Sequence, residues 1–76
     1  MGDLVDVCYD DRFDVWIVDL YAWDEETEMH LHQFEEGRYG EEGQAEAAAE
    51  ALARAERALL RVENVDGSVR EERRPM

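Results

Sequence analysis

The chain has 76 residues, of which 21 are Asp or Glu and eight are Lys or Arg, so its formal net charge is −13 at pH 7. This length accommodates one domain with one small core. The acidity excludes direct binding to nucleic acid or to an anionic membrane surface, because both would be repelled. Hydrophobic residues make up 45% of the chain, which separates it from disordered acidic proteins, since disorder also requires low hydrophobicity.

Cys8 is the only cysteine, so no intramolecular disulfide can form, and a lone thiol in an apolar stretch is typical of a reducing compartment. No stretch is long and apolar enough to predict a membrane span, and the N-terminus lacks the pattern of a signal peptide. We therefore expect a single domain over residues 1–76 with a frayed tail at 73–76. Its predicted location is the cytoplasm, which would be that of the host cell if a phage encodes the protein.

The first half of the chain predicts three strands joined by two acidic turns. Apolar and polar residues alternate from Val5 to Tyr9, which indicates a short strand that ends in an Asp-Asp-Arg turn. Residues 13–23 are dense in β-branched and aromatic side chains and give the strongest strand pattern. An acidic turn at 24–27 then leads into a third predicted strand at 28–35.

The central strand has two apolar faces, and only one of them is unbroken. Asp19 interrupts one face, so we expect the other face to form the core: Trp16, Val18, Leu20 and Ala22. A single helix can cover only one face of a small sheet. The interrupted face is then left uncovered, and an uncovered apolar face predicts a partner or dimer surface. This face begins at Phe13, and the predicted apolar interface on it consists of Val15, Ile17, Tyr21 and Trp23.

The second half predicts one helix and a terminal hairpin. Residues 35–43 contain three glycines and are predicted to form the longest loop. A helix is predicted from Gln44 to about Leu59, with an Ala-rich apolar stripe: Ala45, Ala48, Ala49, Leu52, Ala55 and Leu59. Asp66-Gly67 between two short alternating runs predicts a hairpin turn. The predicted fold is α+β: a small antiparallel sheet of a three-strand meander, one helix packed on one face, and one or two short strands.

No catalytic or metal-binding motif is evident. His30 and His32 would point to the same face of a strand and, with Glu28, could ligate zinc or nickel, but no further ligand can be assigned. Cys8 lies within an apolar strand and is interpreted as structural, and neither acidic turn has the ligand spacing of an EF-hand. We therefore predict no metal, no cofactor and no enzymatic activity.

The acidic residues are concentrated in the first two thirds of the chain. A meander would gather the segments at 10–14 and 35–42 at one end of the sheet and the turn at 24–28 at the other. Crowded like charges cost stability, which favours a use for their field. Carboxylates two residues apart on a strand would lie about 6.6 Å apart, near the spacing of successive phosphates. The predicted partner-binding residues are Asp10, Asp11, Asp14, Asp24, Glu25, Glu26, Glu28, Glu35, Glu36, Glu41 and Glu42.

With its charged stretches YDDRFD, DEETE and FEEGRYGEE in a small α+β chain, the sequence resembles the acidic, largely phage-encoded proteins that mimic nucleic acid, anti-CRISPR proteins in particular. The resemblance covers the whole chain as a class and rests on no shared motif. It implies a non-enzymatic inhibitor whose partner is a basic nucleic-acid-binding protein or complex, such as a CRISPR surveillance complex. The alternative is a small self-associating module, for instance a homodimer, whose acidity reflects a halophilic or high-GC host; the absence of Lys fits it.

Overall fold

The computed structural model describes residues 2–74. Its elements follow in the order β1 (Leu4–Asp10), β2 (Val15–Asp24), β3 (Met29–Tyr39), α1 (Glu42–Glu56), β4 (Leu59–Glu63) and β5 (Val69–Arg73). The strands form one open sheet in the order β3-β2-β1-β4-β5, with α1 packed against one face. The predicted α+β class, with a meander followed by a helix and two strands, is confirmed.

The prediction of an antiparallel sheet was wrong at one junction: the sheet is mixed, because β4 pairs in parallel with β1 while all other neighbours are antiparallel. After β3, the helix returns the chain to the end of the sheet where β1 begins. The next strand therefore runs in the same direction as β1, and the parallel register extends from Leu4↔Leu59 to Val7↔Val62. A parallel pair needs a crossover of this kind, whereas an antiparallel pair can be joined by a short turn.

The core lies between α1 and the sheet, on the face that the sequence predicts. Trp16, Val18 and Leu20 are 8% exposed or less, and Ala22 is only half-buried because it lies nearer the β2–β3 turn. Alternate residues of β1 and β4 complete the same face, and they are almost fully buried: Val5, Val7, Leu60 and Val62. Apolar area removed from water contributes roughly 25 cal/mol per Å², so this face supplies most of the stabilisation.

The helix ends earlier than the apolar pattern predicts. It spans Glu42–Glu56, whereas Leu59, which was predicted to be helical, is the first residue of β4. Arg57 ends the helix in the left-handed conformation, with φ 52°, and the N–H of Ala58 donates to the carbonyl oxygen of Ala53. Glycine usually occupies this capping position. An arginine there gives no sequence signal, which explains the misplaced boundary.

The buried stripe of α1 consists of alanines only, and their small side chains allow the helix to lie close to the sheet. The stripe is Ala45, Ala49 and Ala53, while Ala48 and Leu52 are half-buried. Ala55, predicted within the stripe, is exposed. Within residues 2–74, no helix has both the length and the apolar character needed to cross a membrane.

The glycine-rich segment predicted as the longest loop is mostly strand. β3 continues to Tyr39, so only Gly40 and Glu41 connect it to α1. Two register shifts between β2 and β3 take up extra residues, which is the signature of β-bulges. A Cβ atom at Gly37 would lie 3.1 Å from the Tyr39 hydroxyl, so this glycine permits a close approach within the strand.

The terminal hairpin is confirmed at the predicted Asp-Gly turn, where Gly67 adopts φ 89°, a conformation that favours glycine. The predicted frayed tail at 73–76 was wrong at Arg73, which belongs to β5 and pairs with Leu60. Residues 75–76 of the predicted tail lie outside the described residues. The hairpin therefore extends the sheet by one edge strand.

Candidate interaction surfaces

The meander places the acidic turns at opposite ends of the sheet. The upper end carries the turn at 11–14 and the Gly40–Glu41 link, because β1 and β3 both finish there. The lower end carries the turn at 25–28, together with the start of β1 and the end of α1. The acidic segments at 10–14 and 41–42 thus lie at the upper end as predicted, and Glu35 and Glu36 lie a few residues below it on the edge strand β3.

Arginine neutralises part of the charge at the upper end. Arg12 Nη2 lies 3.4 Å from Asp10 Oδ2, and Arg38 Nε lies 2.9 Å from Glu35 Oε1. The hydrogen bond from Arg12 lowers the pKa of Asp10. Both guanidinium groups also pack over the exposed ring of Phe13, at 5.6 and 5.9 Å from its centroid. These two carboxylates therefore contribute less to the outward field than the sequence implies.

Apart from Glu42, the other predicted partner-binding carboxylates near the upper end have no arginine partner within residues 2–74. Asp14 accepts a hydrogen bond from the Tyr9 hydroxyl, and Glu36 accepts one from the Tyr39 hydroxyl at 2.7 Å. Each bond raises the pKa of its tyrosine, because the phenol donates to a carboxylate. A hydrogen bond of this kind orients the carboxylate without removing its charge. The acids at and just below the upper end without an arginine partner within residues 2–74 are Asp11, Asp14, Glu36 and Glu41.

Glu42 belongs to a row of glutamates on α1 that form ion pairs with arginines of β5. Arg70 donates to Glu42 at 2.8 Å and to Glu46 at 2.7 Å, and Arg73 donates to Glu50 at 2.7 Å. The three glutamates are four residues apart, so they form one row along the helix. The row holds the edge strand against the helix, and its charge is largely neutralised.

The acids of the lower turn have no arginine partner within residues 2–74. Asp24 shapes the turn by accepting hydrogen bonds from the Glu26 N–H and the Thr27 hydroxyl. Glu28 closes the turn in the left-handed conformation, with φ 55°. No arginine within the described part of the chain pairs with any of its four acids: Asp24, Glu25, Glu26 and Glu28.

The predicted phosphate-like spacing along a strand is not formed. None of the partner-binding acids occupies alternate positions within one strand, since most lie in turns and Glu35 and Glu36 are adjacent at a register shift. A ladder of carboxylates about 6.6 Å apart would need alternate strand positions. The surface charge is therefore arranged as clusters on turns and along one sheet edge, and not as a regular row.

The sheet face opposite α1, called the open face below, carries the side chains predicted to form an apolar interface, and no helix within residues 2–74 covers them. All four are half-buried: Val15, Ile17, Tyr21 and Trp23. The Tyr21 ring packs against His32 at 5.3 Å, and the Trp23 ring packs against His30 at 5.2 Å. The open face is thus less apolar than the strand pattern indicates, and its role as an interface stays a prediction.

The two histidines lie on the same face, as predicted, and each has a hydrogen-bond partner. His30 Nε2 is 2.9 Å from the carbonyl oxygen of Gly2, and His32 Nε2 is 2.8 Å from Asp19 Oδ1. Glu28 lies in the turn rather than beside them on the strand. These contacts orient the imidazoles within the sheet and give each ring a structural role.

The open face also contains a buried charged cluster that the sequence analysis missed. Asp6 is 3% exposed and accepts a hydrogen bond from Arg61 Nε at 2.8 Å, and Asp19 lies opposite Asp6 in the sheet and is 9% exposed. Glu63 lies beside Asp6, and hydrogen bonding between the two carboxyl groups, followed by burial, raises the pKa of Glu63 to about 7. A proton shared between two carboxyl groups relieves their repulsion.

Cys8 completes this cluster. Its Sγ atom lies within 4.8 Å of a carboxylate oxygen of Asp6 and of a carboxylate oxygen of Glu63. Burial, followed by the neighbouring carboxylates, raises the pKa of the thiol to about 11, so Cys8 is a poor nucleophile at neutral pH. Arg61 already occupies Asp6, so a cation bound there would compete with the guanidinium group. In the sequence, Asp6 and Arg61 each stand between two core residues, which is the signal that could have pointed to this cluster. That the two residues pair with each other follows only from the parallel register of β1 and β4.

Fold and surfaces together define a small α+β protein with two acidic ends and a buried ionic cluster on the open face. Comparison with protein-family models, with curated proteins and with solved structures finds no match to this chain. The distribution of charge over its surfaces is therefore the feature that bears most directly on its function.

Proposed function

We propose that the protein is a non-enzymatic inhibitor that occupies a basic nucleic-acid-binding cleft and competes there with DNA or RNA. The observation that supports this proposal is the set of carboxylates at and below the upper end that have no arginine partner within residues 2–74: Asp11, Asp14, Glu36 and Glu41. With a net charge of −13, the molecule attracts a Lys- or Arg-lined groove and repels nucleic acid.

The arrangement of the acids supports a shaped field rather than a uniform one. The glutamates of α1 are neutralised by Arg70 and Arg73, whereas the turns at both ends of the sheet project uncompensated charge. Acidity that served only solubility in a halophilic host would be spread over the whole surface, and the α1 glutamates would not be neutralised by Arg70 and Arg73. The resemblance to nucleic-acid mimics makes the DNA-binding surface of a CRISPR surveillance complex the first target that we propose.

The test measures displacement of fluorescently labelled target DNA from a purified CRISPR surveillance complex. We expect the protein to displace the DNA at low salt and to lose this ability steeply as salt rises, because the attraction is screened. Replacing Asp11 and Glu41 with Lys changes the net charge from −13 to −9 and should slow association about tenfold or more. Any single substitution should have a small effect, since an exposed ion pair contributes roughly 0–1 kcal/mol.

A matched control replaces Glu56 and Glu72 with Lys. Both glutamates are exposed and lie away from the upper end. This variant also has a net charge of −9, so it separates the position of the charge from its amount. Equal weakening by both variants would favour bulk acidity and the alternative of a halophilic module. Simultaneous binding of the protein and DNA to the same complex would rule out competition for this target.

A further inference from the structure

The lower end of the sheet has two sides that differ in shape and in charge. On one side, the β2–β3 hairpin continues past the first β1 pair, Leu4↔Tyr21, through three further pairs that end at Asp24↔Met29. Three residues of strand correspond to about 10 Å. The tip of this projection is the acidic turn, whose carboxylates have no arginine partner within residues 2–74.

The other side of the lower end is a recess in which arginines outnumber acids. A cavity of about 490 Å³ lies between the hairpin and the end of the β4–β5 pair, with His30 on one side and Arg57, Arg61 and Arg74 on the other; two acids, Asp3 and Glu72, also line it. A neighbouring cavity of about 370 Å³ is also lined by Arg57 and Arg74, with Arg54 and Arg73 beside them and Glu50, the partner of Arg73, as its one acid. In a chain with far more acids than bases, this is a concentration of cations at one corner.

Two of these arginines have no counterion among the described residues. Arg57 and Arg74 form no ion pair within residues 2–74, whereas Arg61 pairs with Asp6 and Arg73 pairs with Glu50. Arg57 follows the last turn of α1, where a cation stabilises the helix dipole, so its position has a local explanation. Arg74 follows β5 and has no such explanation.

We propose that two copies of this chain associate through their lower ends, with the acidic hairpin tip of each copy in the arginine-lined recess of the other. A two-fold axis normal to the sheet exchanges the left and right sides of the lower end. It therefore brings the turn at 25–28 of one copy against Arg57 and Arg74 of the second, and forms the reciprocal contact at the same time. Such a surface is self-complementary, which is the requirement for a closed symmetric dimer.

This dimer is independent of the proposed inhibitor function and differs from an association through the open face. It uses the charged lower end and leaves Val15 and Ile17 uncovered. The upper ends of both copies point away from the interface, so their carboxylates stay available to a target. Dimerisation can therefore be measured with the protein alone, and its failure would not affect the competition with DNA.

Ionic strength should act on this dimer in two opposing ways. The repulsion between two chains of net charge −13 is long-ranged and is screened once the separation exceeds the Debye length, about 10 Å at 0.1 M salt. The contacts between carboxylates and guanidinium groups are short-ranged and are screened only at higher salt. We expect the dimer to strengthen from low to moderate salt and to weaken again at high salt.

The decisive experiment is a charge exchange measured by sedimentation equilibrium and native mass spectrometry. One variant carries Glu25→Arg and Glu26→Arg, and the other carries Arg57→Glu and Arg74→Glu. Each variant alone opposes like charges across both contacts, so its dimer Kd should rise about tenfold or more. In an equal mixture every contact again joins opposite charges, so we expect heterodimers, identified by their intermediate mass, with an affinity near that of the wild type.

A matched control carries Asp11→Arg and Glu41→Arg, which changes the net charge as much as the hairpin variant but at the upper end. It should dimerise at least as well as the wild type. Circular dichroism and thermal melting of each variant establish that it is folded. A wild-type chain that stays monomeric at every salt and protein concentration, or a folded pair of variants whose mixture forms no heterodimer, would overturn the proposal. Dimers lost in Ile17→Thr but kept in both exchange variants would instead assign the interface to the open face.

Discussion

Individual residues of the open face show how a small domain accommodates buried charge. Asp6 pairs with Arg61, Asp19 Oδ1 lies in hydrogen-bond contact with His32 Nε2, and Glu63 has a raised pKa because its carboxyl group hydrogen-bonds to Asp6. A buried carboxylate without such a partner costs several kcal/mol. Each acid of the cluster therefore has its own partner, and the raised pKa places the titration of Glu63 near neutral pH.

The raised pKa of Glu63 predicts that this residue destabilises the fold at alkaline pH. Its pKa is raised from 4.5 to about 7, so the folded chain binds the proton more tightly than the unfolded chain does. The stabilisation is complete below pH 4.5 and is lost as the pH rises through 7. Glu63→Gln cannot ionise, so its free energy of unfolding at pH 8 should exceed that of the wild type by on the order of 1–2 kcal/mol, allowing for partial exposure.

Urea unfolding at pH 5 and pH 8 measures this difference. The two proteins should be close in stability at pH 5, because the wild-type carboxyl group is then protonated in the fold. Glu72→Gln is the control, since Glu72 is exposed on β5 and should give the same small effect at both pH values. An equal gain for both variants at pH 8 would mean that general charge reduction, and not the Glu63 proton, sets the pH dependence.

Among the elements, the two edge strands differ from the centre of the sheet in how they avoid further pairing. β3 is long, but two register shifts interrupt its ladder with β2, and β5 carries charged side chains at four of its five positions. Bulges and charges are the usual protection of sheet edges against association. The structure thus argues against dimerisation by strand addition, which is consistent with the end-to-end contact proposed above.

At the centre of the sheet, the parallel pairing of β1 with β4 includes the only strongly buried ion pair of the described residues, Asp6–Arg61. Arg61→Met keeps much of the side-chain volume and leaves the Asp6 carboxylate, which is 4% exposed, without its cation. We expect the free energy of unfolding to fall by about 3 kcal/mol, because an unpaired buried charge is costly. Chemical denaturation with an unchanged m-value would measure this loss.

The matched control for that substitution is Arg38→Met on the edge strand. Arg38 pairs with Glu35, and both side chains are more than one third exposed, so the loss should be below about 1 kcal/mol. Similar losses for the two variants would show that burial of Asp6 does not determine the strength of its ion pair. The comparison therefore tests whether the β1–β4 junction depends on a correctly placed charge.

For the whole molecule, the net charge of −13 lowers the stability of the fold through self-repulsion, and added salt should reduce this loss. Self-repulsion destabilises a compact acidic chain, and screening reduces it over distances longer than about 10 Å at 0.1 M salt. The exposed ion pairs that salt also weakens contribute roughly 0–1 kcal/mol each. We expect the melting temperature to rise by several degrees between low salt and about 0.5 M NaCl, since 1 kcal/mol corresponds to roughly 4–8 °C for a domain of this size.

A variant with fewer charges separates self-repulsion from a general effect of salt. Replacing Asp11 with Asn and Glu25, Glu26 and Glu41 with Gln changes the net charge from −13 to −9. This variant should melt at a higher temperature than the wild type at low salt and respond less to added NaCl. An unchanged salt response would show that the clustered acids do not repel one another strongly in the folded chain.

Local patterns in the sequence determined the fold class, the core face and both acidic ends. Alternation in residues 13–23, the Ala-rich helix and the Asp-Gly turn each depend on neighbouring residues, so the meander, the helix and the hairpin could be predicted. Boundaries were less predictable where an unusual residue replaced the expected one, as at the Arg57 cap.

Only the tertiary structure decided which charges are neutralised. Asp6 and Arg61 are 55 residues apart, and Arg70 reaches Glu42 across 28 residues, so these pairs depend on the crossover that brings β4 beside β1 and β5 beside α1. The raised pKa of Glu63 and the basic recess at the lower end arise from the same long-range packing. Coulomb interactions depend on distance in space, and a sequence pattern reports only distance along the chain.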